Sequence, residues 1–223
     1  MRCKSFYESI DIAPQPLEDM KRRFQFNQWV YINLIKPRMS VCPVVPLTGE
    51  DFKVICPFYK AKEQAKHDEW AGVDDHNRLK RELTGACGEY GSLKFWGWED
   101  RFDAEIVGDS RKKSFPDFRP FGIQCEIKGS ALGNVPIVFR ENKCSNLIYT
   151  TDHKKVWLLG IATPEVLKTY VDDNLRLTFA RPDKIGFYGF AHLVDAPSSR
   201  EDLKSLCEKF RLDLGFRNGI MLP

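Results

Sequence analysis

Residues 155–162, KVWLLGIA, constrain the fold more than any other stretch of the chain. A nearly unbroken apolar run of this length reads as a β-strand covered on both faces, because a strand with one wet face would alternate. Such a strand needs a layer of structure above it and another below. The text after it supplies one element: in TPEVLKTYV, Thr163 stands where a helix cap is expected and Pro164 at the first helical position. The text before it supplies another. From Asp75 onward the sequence predicts a helix over about 76–96, with Asp75 as its cap and Leu79, Leu83, Ala86, Tyr90 and Leu93 as its buried stripe. Glycines at 85, 88 and 91 interrupt that helix at roughly 1 kcal/mol each relative to alanine, which a chain tolerates where the helix must lie close against another backbone.

Around these anchors the pattern predicts further strands. RFDAEIVGD precedes a basic turn, Phe115–Phe118 and Ile123–Gly129 form two strands joined by R-P-F-G, and VPIVF and residues 185–193 add two more. EDLKSLCEKFRLDLGF closes the chain as an amphipathic helix. The fold class is therefore α/β, or α+β in layers, with a central mixed β-sheet flanked by helices. Residues 1–72 are expected to be an N-terminal extension of mixed structure, with helical character in 17–35 and two short strand-like runs in MSVCPVVPLTGEDFKVICPFY. Residues 73–223 then make the main domain.

Composition narrows the class. Hydrophobic residues at 43% and charged residues at 29% of 223 give ample material for a core in a soluble domain. No apolar run is long enough to span a bilayer, and MRCKSFYESIDIAP lacks the apolar region of a secretory signal, so a cytoplasmic location is expected. Seven scattered cysteines without a C-x-x-C pair argue against disulfides and against structural zinc or iron–sulfur sites. The net charge of +3 is local: residues 101–160 carry 10 basic and 7 acidic residues, while the rest of the chain balances.

That same segment holds the chemistry. In FPDFRPFGIQCEIKGS, residues 115–130, strand alternation sends Ile123, Cys125 and Ile127 to the core and Gln124, Glu126 and Lys128 to the other face. The hairpin would bring Asp117 beside Glu126. Two adjacent carboxylates repel unless a cation sits between them, and hard oxygen ligands favour Mg²⁺ or Mn²⁺. Lys128 reaches the same point. Two acids, a divalent ion and an ammonium suit hydrolysis of a phosphodiester: the metal polarises the phosphoryl oxygen and acidifies water, and the lysine orients that water and offsets developing charge.

At these residues the chain resembles the PD-(D/E)XK, or restriction-endonuclease-like, nuclease superfamily. Pro116-Asp117 matches the PD, and Glu126-Ile127-Lys128 matches the ExK with eight residues between the two acids. The helical segment G-E-Y-G around Glu89 looks like the glutamate-bearing segment that precedes the motif in many members. The resemblance covers about residues 76–193. It implies that Asp117 is the central metal ligand, Glu126 the second and the Ile127 carbonyl a third contact. Lys128 would position or activate water, and Glu89, with Glu82 as a substitute, would complete the site from the helix. Ser130 is a phosphate contact or simply a turn-forming serine.

A Gln-x-x-x-Tyr motif after the lysine, as in RecB-like exonucleases, is missing, and so is any ATP-binding loop. A stand-alone endonuclease of phage or mobile-element type is therefore expected. DNA is the expected partner and Mg²⁺ or Mn²⁺ the cofactor. Arg111, Lys112, Lys113, Arg119, Lys154 and Lys155 would hold phosphates, although each alone is equally well a solvated basic residue. His153 is an assistant or incidental, and Trp96 and Trp98 stack on bases or, more simply, pack the core. Two alternatives stay open: a dimeric, Holliday-junction-like resolvase, and an idle nuclease-like fold that only binds nucleic acid or protein.

Overall fold

The central strand is the one the apolar run predicts: β5 is Lys155–Ala162. In the computed structural model, residues 24–57, 75–102, 125–141, 144–172 and 184–213 are described, the side chains of 75–79 and 210–213 excepted. β5 pairs antiparallel with β1 (Val44–Pro46) on one side and with β4 (Ser145–Thr151) on the other. β4 in turn pairs in parallel with β2 (Cys125–Ala131), so the sheet is mixed and its order is β1-β5-β4-β2. The register of β4 and β5 slips near Leu159, leaving one extra residue on β5. Gly160 takes φ +136° there, a conformation suited to glycine. Arg38 donates to the Leu159 carbonyl at 2.7 Å and so satisfies the bulge from a neighbouring helix.

Helices cover both faces. One face packs α2 (residues 49–57), α3 (Asp75–Phe95) and α5 (Arg200–Asp213) against Ile127, Leu147, Tyr149, Val156 and Leu158. The other packs α1 (residues 24–39) and α4 (Pro164–Thr169) against Ile148, Leu159 and Ala162. A second, antiparallel sheet joins that layer, with β3 (Ile137–Phe139) and β6 (Val171–Asp172) on either side of β7 (Lys184–Phe187). The protein is thus a mixed α/β structure with a mixed four-stranded sheet flanked by helices. Among the described residues no helix is long and apolar enough to cross a membrane.

Several expectations meet their physical reasons here. Thr163 caps α4, its hydroxyl accepting from the Val166 amide, and Pro164 opens the helix. α1 carries the helical character expected in 17–35 on to Met39. Pro37 cannot donate to the turn before it, and the helix widens to a π-turn over Tyr31–Ile35. Residues 49–57 are helical where FKVIC suggested a strand. Thr48-Gly49-Glu50-Asp51 forms a capping box, with Asp51 Oδ2 accepting from the Thr48 amide at 2.6 Å, and this start signal overrides the β-branched run. Residues 185–193 are a strand only to Phe187, followed by a 3₁₀ turn at Phe190–His192. β4, buried at every position, was not anticipated at all. The described part of the first seventy residues gives the sheet β1 and gives the core Val45, Leu47 and Ile55.

Two of the three glycines in α3 are contact glycines. A Cβ at Gly88 would fall within the Tyr149 ring, and one at Gly91 would sit 2.7 Å from Val156 Cγ2. Gly85 has nothing within 4 Å, so close approach does not explain it. The neighbours met are side chains of β4 and β5, not backbone. Tyr149 extends past Gly88 and donates its hydroxyl to the Thr84 carbonyl at 3.0 Å.

α2 and α3 are joined through a buried carboxylate. Asp51 is 6% exposed and accepts from Tyr90 Oη at 2.9 Å and Lys94 Nζ at 2.7 Å, besides Thr48. Burial alone would raise its pKa, but the Lys94, Thr48 and Tyr90 donors outweigh that and hold it at about 2. Burial, with the hydrogen bond to Asp51, pushes Tyr90 up to about 12.

Because the folded pKa of Asp51 lies below the ordinary 3.8, its contribution is present above pH 3.8 and is lost as pH falls towards 2. Asp51→Asn should therefore cost about 2 kcal/mol at pH 7, and the gap to the parent should close between pH 4 and 2 in urea titrations. A gap independent of pH would show that the charge is not what stabilises. In thermal melts, Gly88→Ala should destabilise by ~1–3 kcal/mol through the clash with Tyr149, whereas Gly85→Ala should stabilise by up to ~1 kcal/mol.

Candidate active site

β2 presents the ExK residues as alternation requires. Cys125 and Ile127 are buried in the same apolar cluster as Ala86, Cys87 and Tyr90 of α3, and Glu126 and Lys128 lie half-buried on the opposite face. That opposite face is not open water. In the parallel register, Glu126 stands beside Asn146 and Lys128 beside Ile148, both fully buried on β4. The small sheet lies over the same side, since Ile148 packs with Val138 of β3 and Ile185 of β7.

Within this setting Lys128 Nζ lies 2.9 Å from Glu126 Oε2, the side chains being 22% and 25% exposed. The contact is an ion pair without hydrogen-bond alignment: Oε2 is sealed from solvent, and no donor is aligned on it among the described residues. The approach of the ammonium is short enough for strong attraction, so the charge of the buried carboxylate oxygen is compensated. Lys128 Nζ also stands 5.1 Å from the centre of the Phe139 ring, and Lys184 Nζ stands 5.6 Å from the same ring.

The other expected residues fall in different places. Asp117, with Arg111, Lys112, Lys113 and Arg119, lies outside the described residues. Glu89 is half-buried on α3, two helical turns past the half-buried Glu82. α3 presents its buried stripe to the Ile127 face of β2, so this helix and the Glu126 side chain lie on opposite faces of that strand. Among the described residues β2 ends the four-stranded sheet. Among the described residues no three histidines, cysteines or acids form a metal-binding group.

Lys154 and Lys155 are exposed in the β4–β5 turn, where both amides donate to Asp152 Oδ1 at 2.9 and 2.8 Å. Thr151, just before that turn, is five residues along β4 from Asn146, roughly 16 Å at a strand's rise per residue. The turn lysines are therefore at the far end of the sheet from Glu126. His153 is half-buried, at φ +70°, with Nε2 2.9 Å from Thr84 Oγ1, and it fastens the turn to α3. Burial, helped by the charge of Lys80, lowers its pKa. Ser130 lies within β2 and is 7% exposed, and it donates to the Asn134 carbonyl at 2.9 Å across the turn that follows. Trp96 and Trp98 are 4% and 8% exposed and belong to the core. The described cysteines are unbridged, and burial pushes the Cys87 thiol up to about 12, consistent with an inert packing role.

Sequence reasoning missed Asn146, Phe139 and Lys184. All three reach this face through pairing of strands distant in sequence, and a local pattern carries no sign of that. No protein-family model matches the chain, and no curated protein or solved structure is significantly similar to it.

Removing the ammonium should leave Glu126 as an uncompensated, half-buried charge. Lys128→Met is expected to lose about 1 kcal/mol at pH 7 in urea unfolding, with the double variant Lys128→Met/Glu126→Gln recovering most of it. Additive losses in the double variant would show that the pair is not energetically coupled.

Proposed function

We propose that the chain is a Mg²⁺-dependent nuclease of the PD-(D/E)XK type that hydrolyses DNA phosphodiesters internally, its α3–β2–β4 unit serving as a restriction-endonuclease-like core. One observation carries the reading. Glu126 and Lys128 share one face of a strand, 2.9 Å apart, with the facing carboxylate oxygen sealed from solvent. That oxygen is a hard ligand suited to Mg²⁺ or Mn²⁺.

Asp117, Glu126 and the Ile127 carbonyl would hold the ion, and Glu89 would approach from α3. When bound, the ion would supply Lewis acidity towards the phosphoryl oxygen and a lowered pKa for water. The chain's own residues do the rest. Glu126 would serve as an oxygen ligand, and Lys128, no longer needed as its counter-charge, would face the phosphate, where its ammonium would orient the attacking water and offset the negative charge that grows on the phosphoryl oxygens. Burial of three quarters of both side chains lowers the local dielectric and strengthens each of these interactions.

The same contact also favours a second reading, a nuclease-like fold in which Glu126–Lys128 is only a structural ion pair and the surface binds nucleic acid or protein. Plasmid, linear and single-stranded DNA, each with and without Mg²⁺, separate the two. Nicking or linearisation of plasmid only with Mg²⁺ is expected, and Lys128→Ala and Glu126→Gln, assayed well below their melting midpoints, should each lower it roughly 10²–10³-fold. If Lys128→Ala cuts as well as the parent, the assignment fails. Ladders from linear ends without attack on closed circles would make the enzyme an exonuclease, and preference for branched DNA with a dimeric mass would make it a resolvase.

A further inference from the structure

The outer edge of β5 is covered in two pieces. On one side Pro43, just before β1, accepts from the Leu158 amide at 3.0 Å and, as a proline, has no N–H to give back. On the other, Ile161 and Val194 exchange amide-to-carbonyl bonds at 2.7 and 2.9 Å. Between the two lies a cavity of about 320 Å³, lined by Arg38 and Asp195 together with apolar side chains that include Val41, Pro43 and Ala196. Arg38 is held firmly there. Its Nε donates to the Leu159 carbonyl at 2.7 Å, and its Nη2 donates to the Leu193 carbonyl at 3.1 Å and to Asp195 Oδ1 at 2.5 Å. These bonds fix the guanidinium plane and leave the two hydrogens of Nη1 to meet a ligand. Asp195 is 89% exposed, so its second oxygen, Oδ2, stands at the mouth.

The charged pair is balanced, and the Cys42 thiol beside it stays neutral because burial pushes it up to about 11. An entering carboxylate would meet Asp195 and an entering ammonium would meet Arg38, so the lining selects for a neutral group. What it offers is a donor next to an acceptor on an otherwise apolar wall, and the group that answers both is a carbonyl beside an N–H. We propose that this cavity binds a planar ring with a lactam edge, as guanine and thymine carry, the ring carbonyl accepting from Arg38 Nη1 and the adjacent ring N–H donating to Asp195 Oδ2. The volume lies at the small end of ligand pockets, roughly 300–1,000 Å³, and admits one base and no more. The site is separate from the Glu126–Lys128 face: it sits on the outer edge of β5, and β4 stands between that strand and β2. The inference therefore does not depend on the nuclease reading.

The test is ligand-observed NMR titration of the full chain, without metal, using thymidine, guanosine, N3-methylthymidine, N1-methylguanosine and a short oligothymidylate. Thymidine and guanosine are expected to saturate with Kd of about 1 mM or tighter. The N-methylated nucleosides keep the ring and lose the N–H, and each should bind about tenfold or more weakly than its parent nucleoside. Asp195→Ala should weaken thymidine by about tenfold, and Val41→Trp, which fills the mouth, should abolish its binding. Both positions are exposed, so both variants should melt with the parent protein. Oligothymidylate binding as tightly as thymidine, and lost in the same variants, would make the ligand a base within a strand; binding of nucleosides alone would make it a free nucleoside; either outcome upholds the lactam edge. Equal binding of methylated and unmethylated nucleosides would overturn the proposal, and so would the lack of saturable binding by any of them or parental affinity in both variants. Should a variant fold poorly, the methylated ligands decide the matter on the parent protein. Cleavage is not measured, so failure here leaves the nuclease reading untouched, and an inactive parent in the plasmid assay leaves this inference untouched.

Discussion

The seat of the Tyr149 ring between Gly88 of α3 and Gly129 of β2 determines where everything else sits. A Cβ at either glycine would overlap that tyrosine. Two absent side chains on two elements therefore make one slot, and the ring fills it while its hydroxyl satisfies the Thr84 carbonyl. Interiors pack at crystal-like density, so a slot of this shape admits one arrangement of helix over sheet. It brings α3 close to β2 and β4 together and fixes the rotation of the helix. Tyr90 and Lys94 are thereby aimed at Asp51 on α2, and the same helix is locked from its other side.

Fixing α3 on one face of β2 decides what the other face can be. Cys125 and Ile127 are consumed by the helix, so Glu126 and Lys128 have to point into the layer built by β3 and β7. A carboxylate aimed into a half-buried layer needs a counter-charge, and the ammonium two residues on is the group that strand geometry places within reach. The ion pair is a consequence of the helix seat as much as of the motif.

What could be read in the sequence was whatever a single segment enforces by itself. KVWLLGIA is apolar enough to demand two covered faces, Thr163-Pro164 is a start signal needing no tertiary help, and the alternation around Ile127 sorts Glu126 and Lys128 from the core without reference to any other strand. Illegible were features created by pairing. SNLIYTT is buried at all seven positions yet carries serine, asparagine and three threonine or tyrosine hydroxyls, so its burial has no local pattern. Tyr149 donates to the Thr84 carbonyl on α3 and Thr150 to the Ser130 carbonyl on β2, both distant in sequence, while Thr151 reaches the Lys155 carbonyl across the turn. Residues 49–57 are the opposite case: the cap at Thr48 and Asp51 is local, and it overrides the β-branched propensity of FKVIC. Asn146 and Lys184 share the reason for β4. Each is ordinary in its own segment and acquires meaning only through its register with Glu126 or Phe139.

The spacing of Glu126 and Lys128 also has an electrostatic logic that bears on how a phosphodiesterase of this form would switch on. At rest the pair is neutral, and neither charge is stranded in a half-buried layer. In the nuclease reading, a divalent ion held by Asp117 and Glu126 would take over the charge of Glu126 and leave the Lys128 ammonium to be compensated by a phosphodiester. Metal and substrate would then each favour the other's binding, because each would supply what the other needs in order to displace the resting ion pair.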